Sequence, residues 1–324
     1  MTRAVRGNIA PYWRIESLRT GLTIPFEGIS LAELPDLVRR AEAGGYDSVW
    51  SAESTEFDGF TPLAVAAPAS ERMRLVTGIV NVFTRGRALL AQPAAALAEL
   101  SGGRFVLGLG ASSPVIVEQW NGVAFERPLA KVRSTVDYLR QALAGERVDG
   151  GFKLRAPPAD PVPIVLAALR DRMLRLAAEK ADGAFTNFLP LSGARQVVET
   201  FDTPGKELAC RFFSFAGSED EALPTAIRLF VGYATVPVYG EFFRWLGWGK
   251  EIEPMLEAWS SGDRKQALEL APEHLVREIF LLGPYESQRE RLAEFADAGI
   301  TTAVLALLAP PAGIPAAIDA FAPS

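Results

Sequence analysis

Small and polar residues follow several short apolar runs of the sequence. The carboxylate of Glu53 comes after VWSA, the amide of Asn81 after GIV, and the amide of Asn187 after GAFT. Ser112 and Ser113 follow the glycine-rich run GLGA. Carboxylates relay protons, and amides and hydroxyls hydrogen-bond heterocyclic rings, so these residue types suit a bound organic cofactor that carries the chemistry itself. Taken singly, each is equally an ordinary loop residue.

A phosphate-binding segment is indicated at Arg170, where an apolar run leads directly into a helical pattern. The free N–H groups and the positive dipole end of a helix N-terminus bind phosphate. Arg85 and Arg87 follow Asn81 in the chain, where guanidinium groups can meet phosphates or carboxylates. Gly78 lies at the end of an apolar run, which permits close approach of a ligand to the backbone.

Composition argues against several other kinds of chemistry. The 324 residues include one histidine, His274, and one cysteine, Cys210, so we expect no internal disulfide, no metal site and no Ser-His-Asp hydrolase. His274 follows Pro272 in a helical pattern, and we interpret it as a helix residue without a catalytic role. The formal net charge of −6 argues against a nucleic-acid partner. The start lacks the apolar region of a signal peptide, and prolines interrupt the apolar stretch 301–322, so we expect a cytoplasmic protein without a membrane span.

Eight short apolar runs alternate with helical patterns, and these elements must position the polar segments. The runs are 21–25, 46–51, 74–80, 104–110, 163–167, 183–187, 208–215 and 301–308. Helices are predicted at 29–44, 62–69, 88–100 and 128–144. Continuous apolar strands need cover on both faces, and eight βα units favour a closed (β/α)8 TIM barrel, which we predict as a single domain over 1–324. The polar segments would then meet at its C-terminal mouth.

A helical insertion is predicted between the seventh and eighth strands, at about 217–299. It is rich in aromatic residues, namely Phe230, Tyr233, Tyr239, Phe242, Phe243, Trp245, Trp248 and Trp259. These residues either attach the extra helices to the barrel or form a cap that lines an apolar substrate pocket at the mouth. Both interpretations can hold for different residues. Near the other end of the chain, Tyr12 and Trp13 either pack under the barrel or belong to a flexible or misassigned start.

The block GRFVLGLGASSPVIVEQWNG at 103–122, with FERP at 125–128, closely resembles luciferase-like monooxygenases, and more narrowly their branch that depends on coenzyme F-420, a deazaflavin. The segments GLTIPFEG, VWSAE, NVFTRG, LAALR and VPVYGEFFRWLGWG fit the same branch. The resemblance covers about residues 21–309. It implies a (β/α)8 barrel that holds the cofactor ring at its C-terminal mouth.

The resemblance also implies roles for individual residues. Gly78 and Ile79 match a non-prolyl cis peptide that backs the ring, while Glu53 and Asn81 match ring-contacting positions. The other matching positions, with Asn187 added as a polar group of the mouth, are Gly108, Gly110, Ala111, Ser112 and Ser113 in the strand-four loop and Ala167, Ala168, Leu169 and Arg170 in the phosphate-binding turn.

Two positions depart from relatives that oxidise alcohols or sugar phosphates. Those relatives have a histidine and a glutamate where this chain has Ser54 and Ser113. An alcohol dehydrogenase is therefore disfavoured, and Glu118 is the nearest substitute for the missing acid.

We expect an oxidoreductase in which reduced deazaflavin gives a hydride to a small, apolar organic substrate such as an enone or imine. The proton would come from solvent, Glu53 or a tyrosine. The alternatives are an FMN-dependent luciferase-like monooxygenase and a non-catalytic cofactor-binding barrel. The resemblance also implies a homodimer, which no feature of the sequence decides.

Overall fold

Eight parallel strands close into a barrel. The computed structural model describes residues 18–53 and 55–323, so Tyr12, Trp13 and Ser54 lie outside the described residues. The strands are β1 (Arg19–Ile24), β2 (Ser48–Ser51), β3 (Arg74–Thr77), β4 (Phe105–Gly110), β5 (Ile164–Ala167), β6 (Gly183–Asn187), β7 (Glu207–Phe215) and β8 (Thr302–Leu308). Their order is β3-β2-β1-β8-β7-β6-β5-β4, and β4 pairs back to β3. The predicted (β/α)8 barrel is confirmed.

Helices connect the strands on the outside of the barrel. They are α1 (Leu34–Ala43), α2 (Thr61–Ala66), α3 (Arg87–Leu100), α4 (Pro128–Leu143), α5 (Asp171–Lys180), α6 (Leu191–Phe201), α7 (Glu219–Ala234), α8 (Pro237–Trp245), α9 (Gly249–Ser260), α10 (Arg264–Glu269), α11 (Glu273–Ile279), α12 (Tyr285–Asp297) and α13 (Ile314–Ala320). None of them, within the described ranges, has the length and apolar character needed to cross a bilayer.

Two predicted helix boundaries were wrong. Helix α1 begins at Leu34 and not at residue 29, because Pro35 occupies its first turn and a turn closed by Ser30 and Glu33 precedes it. Helix α2 ends at Ala66, and the remainder of the predicted segment is a 3₁₀ turn, Ala67–Ala69, with proline at its centre.

The interior of the barrel is filled by side chains. A central layer, here called the inner cluster, consists of Trp50, Val76, Val106, Val165, Phe185, Ala209 and Val304. Ile79 packs against the inner cluster from the side of the C-terminal mouth. Packing of this kind makes the barrel a solid support, and ligands are left with the loops above it.

A buried ion cluster lies at the N-terminal end of the interior. Glu207, which is fully buried, accepts hydrogen bonds from Arg74 at 2.6 and 2.9 Å and from the hydroxyl of Thr302 at 2.6 Å, with Arg19 at 3.8 Å. Burial alone would raise the pKa of Glu207, but the arginines and the hydroxyl hold it below its ordinary value.

The connection from β7 to β8 contains the predicted helical insertion. Helix α12 belongs to the ordinary barrel, because it packs on α6 and its Tyr285 contacts Phe321 after α13. The added part is therefore α7 to α11. Phe230, Phe242 and Phe243 are fully buried and attach these helices to one another.

Other aromatic residues of the insertion face the barrel. The rings of Tyr233 and Tyr239 pack on Phe188, which directly follows β6. These contacts attach the insertion to the barrel, and the lining of an apolar substrate pocket by the insertion stays a prediction.

Candidate active site at the barrel mouth

The cis peptide bond between Gly78 and Ile79 lies where β3 ends. The backbone N–H of Gly78 donates to the carbonyl of Ser51 at 2.7 Å, and the N–H of Glu53 donates to the carbonyl of Ile79 at 3.0 Å. A Cβ atom on Gly78 would lie 3.0 Å from Cε3 of Trp50. The backbone therefore brings Glu53 beside the cis peptide, as the resemblance implies, and the glycine is explained by packing on Trp50.

Two glycines of β4 are required by strand packing. The hydroxyl of Thr77 accepts from the N–H of Gly108 at 2.7 Å and donates to its carbonyl at 2.9 Å. A Cβ atom on Gly108 would lie 1.7 Å from the carbonyl oxygen of Thr77, and one on Gly110 would lie 3.0 Å from both Ala167 and Ile79. These glycines close the barrel at β3 and leave a floor of small residues at the mouth.

Glu53 is held in an ion pair. The Nε atom of Arg85 donates to Oε1 of Glu53 at 2.7 Å, and Asp58 lies 3.6 Å from the same guanidinium. Arg85 also lies over the ring of Phe60, 5.2 Å from its centroid. Arg85 thus neutralises Glu53, and its guanidinium is already occupied. Arg87 is likewise engaged, because it stacks over Tyr138 at 4.4 Å.

Asn81 is largely committed to its own loop. It is buried, and its Oδ1 accepts from the N–H groups of Phe83 and Thr84 at 3.0 and 2.8 Å and from the Thr84 hydroxyl at 2.9 Å. Its amide oxygen is therefore used by this turn, so the oxygen is not the free acceptor that the sequence indicated.

The loop after β4 runs over the mouth and into a turn of π-helix, Val115–Trp120. Ser112 has a left-handed backbone with φ of 64°, and the Ser113 hydroxyl accepts from the N–H of Ile116 at 3.4 Å. Glu118 is exposed, and its carboxylate accepts from the N–H of Phe125 at 3.0 Å. The contacts of Glu118 thus belong to its own loop and do not connect it with the strand ends.

The turn after β5 leaves backbone donors available. The N–H of Ala168 donates to the carbonyl of Phe185 at 2.9 Å, which fixes the turn on β6. Arg170 is the N-cap residue of α5, and no side chain caps that helix. The first N–H groups of α5 therefore remain for an anion. The Arg170 guanidinium, which is partly exposed, pairs with Glu241 of α8 at 3.2 Å.

Asn187 connects Arg211, which the sequence did not indicate, with Tyr239 of the aromatic insertion. Its Oδ1 accepts from Nε of Arg211 in β7 at 3.3 Å, and its Nδ2 donates to the hydroxyl of Tyr239 in α8 at 3.1 Å. Burial raises the pKa of Tyr239 to about 12, so this phenol stays protonated at neutral pH. Alternation along LACRFFSF could have revealed Arg211 as an inward-facing residue, whereas the sequence held no signal for the contact with Tyr239.

The family model for luciferase-like monooxygenases matches residues 17–302. The chain therefore belongs to this family, which confirms the resemblance carried by the strand-four block.

Three individual proteins are also similar to this chain. A putative coenzyme F-420-dependent oxidoreductase of Mycobacterium tuberculosis is 29% identical in an alignment of 313 positions that covers 83% of this chain and 89% of that protein. The solved coenzyme F-420-dependent tetrahydromethanopterin reductase of Methanopyrus kandleri superposes with a TM-score of 0.76 at 21% identity, covering 94% of this chain and 96% of the other. An FMN complex of the oxygenating component of a Pseudomonas putida diketocamphane monooxygenase gives 0.66 at 18% identity, covering 94% and 97%. At these identities the two solved structures support the fold alone.

Proposed function

We propose that the protein is an oxidoreductase that binds coenzyme F-420 at the barrel mouth and transfers a hydride between it and a small organic substrate. The observation that carries the proposal is the similarity to the mycobacterial relative, which bears that cofactor in its name and aligns over 83% of this chain. A fold match would not distinguish among the cofactors that this barrel can hold.

The residues at the mouth fit a flat ring that carries a phosphate. Ile79 covers the inner cluster and, with Gly110 and Ala167, forms an apolar floor. The uncapped N-terminus of α5 and the nearby Arg170 supply donors for phosphate. Ala111, Ser112, Ser113 and Leu169 complete the two loops at this edge, and we assign all of these residues to cofactor binding.

A bound deazaflavin would supply the hydride. The protein would hold the ring against Ile79 and beside the pair formed by Glu53 and Arg85, and the loops would exclude water. The proton would come from solvent, from Glu53 or from Tyr239. His274 lies in α11 with its ring 5.3 Å from that of Trp248, a contact that serves the packing of the insertion.

A turnover experiment tests the proposal. Purified protein and the reduced coenzyme are mixed under nitrogen with a panel of enones and imines, and formation of the oxidised coenzyme is followed by absorbance. Substrate-dependent oxidation is the expected result. Oxygen uptake that needs FMN and NADH would instead assign the protein to the monooxygenase alternative. Cofactor binding without turnover across the panel would favour the non-catalytic barrel. A cytoplasmic location and a homodimer stay predictions.

A further inference from the structure

Arg211 presents a positive charge inside the barrel mouth. Ala209 belongs to the inner cluster, and side chains alternate along a strand, so Arg211 faces the interior one layer nearer the mouth. Its guanidinium lies over the ring of Phe213 at 4.9 Å and donates to Asn187 at 3.3 Å. Among the described residues, no carboxylate lies within 4.0 Å of it.

The other guanidinium groups near the mouth are differently placed. Arg85 pairs with Glu53 and Arg170 pairs with Glu241. Arg211 is only partly exposed, and its partners are an amide oxygen and an aromatic face. Removing a cation from water without an opposite charge is costly, and a ligand anion would offset that cost.

Two hydroxyl groups extend this polar environment. The hydroxyl of Tyr239 accepts from Asn187 and, within the described part of the chain, donates to no acceptor. The hydroxyl of Thr23 is buried and has no partner among the described residues. A Cβ atom on Gly21 would point at Trp50 of the inner cluster, so Thr23, two residues later in β1, also faces the interior of the barrel. The register of β1, β8 and β7 places Thr23 level with Phe213. A ligand with several acceptor atoms would satisfy both hydroxyls.

We propose that Arg211 and Tyr239 form an anion-binding subsite that takes a carboxylate of the substrate. The aromatic groups of Phe213 and Tyr233, which pack on the buried Phe188, fit an apolar body next to that carboxylate. The substrate class would then be an organic acid with an apolar, unsaturated chain. This inference rests on the proposed function for the reaction, but the binding of the carboxylate is separable from it.

Matched pairs of acids and amides test the subsite. Cinnamate is compared with cinnamamide, and 2-hexenoate with 2-hexenamide, by calorimetric titration of the protein as purified, with and without the oxidised coenzyme. At least one acid should bind about tenfold or more tightly than its amide, because a hydrogen bond to a charged group contributes more than a neutral one. If neither acid binds more tightly than its amide, the proposal is overturned.

Variants assign the preference to Arg211. Arg211→Met should remove the preference for the acid, Arg211→Lys should keep part of it, and Arg244→Met, which loses a guanidinium paired with Glu241 and Glu253, should leave it unchanged. An unchanged preference in Arg211→Met would contradict the assignment. If Arg211→Met does not fold, Arg211→Lys and the comparison of acids with amides on the wild type still test the proposal.

A coenzyme titration decides whether the anion that Arg211 binds belongs to the substrate or to the coenzyme. Arg211→Met should bind coenzyme F-420 as the wild type does. If the variant binds the coenzyme more weakly than the wild type and binds the acids equally well, the anion belongs to the cofactor. The substrate subsite is then refuted. If the acids behave as expected while no coenzyme binds, the subsite stands and the proposed function fails.

Discussion

Glu53 shows how a single residue acquires its environment from the segments that follow two neighbouring strands. Its N–H is fixed to the carbonyl of Ile79, and its carboxylate is fixed by Arg85 at 2.7 Å. A carboxylate with a partner of opposite charge is held in one orientation. Its second oxygen, Oε2, accepts only a long hydrogen bond of 3.4 Å from the N–H of Asn81, so Glu53 can also use this oxygen toward the ring position proposed beside the cis peptide.

Replacement of Glu53 tests that role. Glu53→Gln should raise the Kd of coenzyme F-420 by about tenfold, because a charge-assisted hydrogen bond is lost. Fluorescence titration measures the Kd, and turnover of the reduced coenzyme is measured beside it. Glu290→Gln, on the exposed face of α12, is the control. An unchanged Kd together with unchanged turnover in Glu53→Gln would show that Glu53 has no part in the site.

Strands β3 and β4 approach each other so closely at Gly108 that no side chain larger than a hydrogen atom fits there. Gly108→Ala would place a methyl group 1.7 Å from the carbonyl oxygen of Thr77. We expect a loss of about 3 kcal/mol or more in the free energy of unfolding, since neither backbone can move without opening the barrel. Urea unfolding measures it. Gly86→Ala, which meets nothing within 4 Å, should be close to wild type. Equal stability of the two variants would refute the packing argument.

The ion cluster at the N-terminal end of the barrel links β1, β3, β7 and β8. Glu207→Gln should lower the free energy of unfolding by about 3–5 kcal/mol, because the variant loses the buried ion pair between Glu207 and Arg74. Glu179→Gln removes an exposed partner of Arg133 and should cost much less. Comparable losses in both variants would mean that burial does not set the strength of the Glu207 cluster.

The same cluster gives a pH dependence. The folded protein lowers the pKa of Glu207 below 4.5, the ordinary value of a glutamate. Its stabilisation is therefore complete above about pH 4.5 and is lost as the pH falls toward the lowered pKa. The difference in unfolding free energy between wild type and Glu207→Gln should be constant from pH 7 to about 5 and shrink below that. A difference that grows on acidification would contradict this sign.

For the whole molecule, the barrel was predictable because each strand is a continuous apolar run with helices between. The sequence also located the mouth, since Glu53 and Asn81 follow the ends of β2 and β3 and Asn187 ends β6. Pair contacts across the barrel were not predictable. Arg85 was expected to meet a phosphate or a carboxylate, but Glu53 was not identified as its partner, and Arg211 was missed, because both contacts join residues distant in the sequence.

Paired fluorescence titrations with coenzyme F-420 and FMN test the identity of the cofactor. The apolar floor at Ile79 and the donors at α5 accept either ring, so the similarity to the mycobacterial relative decides the expectation. We expect micromolar or tighter binding of coenzyme F-420 and much weaker binding of FMN. A preference for FMN, or the absence of binding by both, would contradict this expectation.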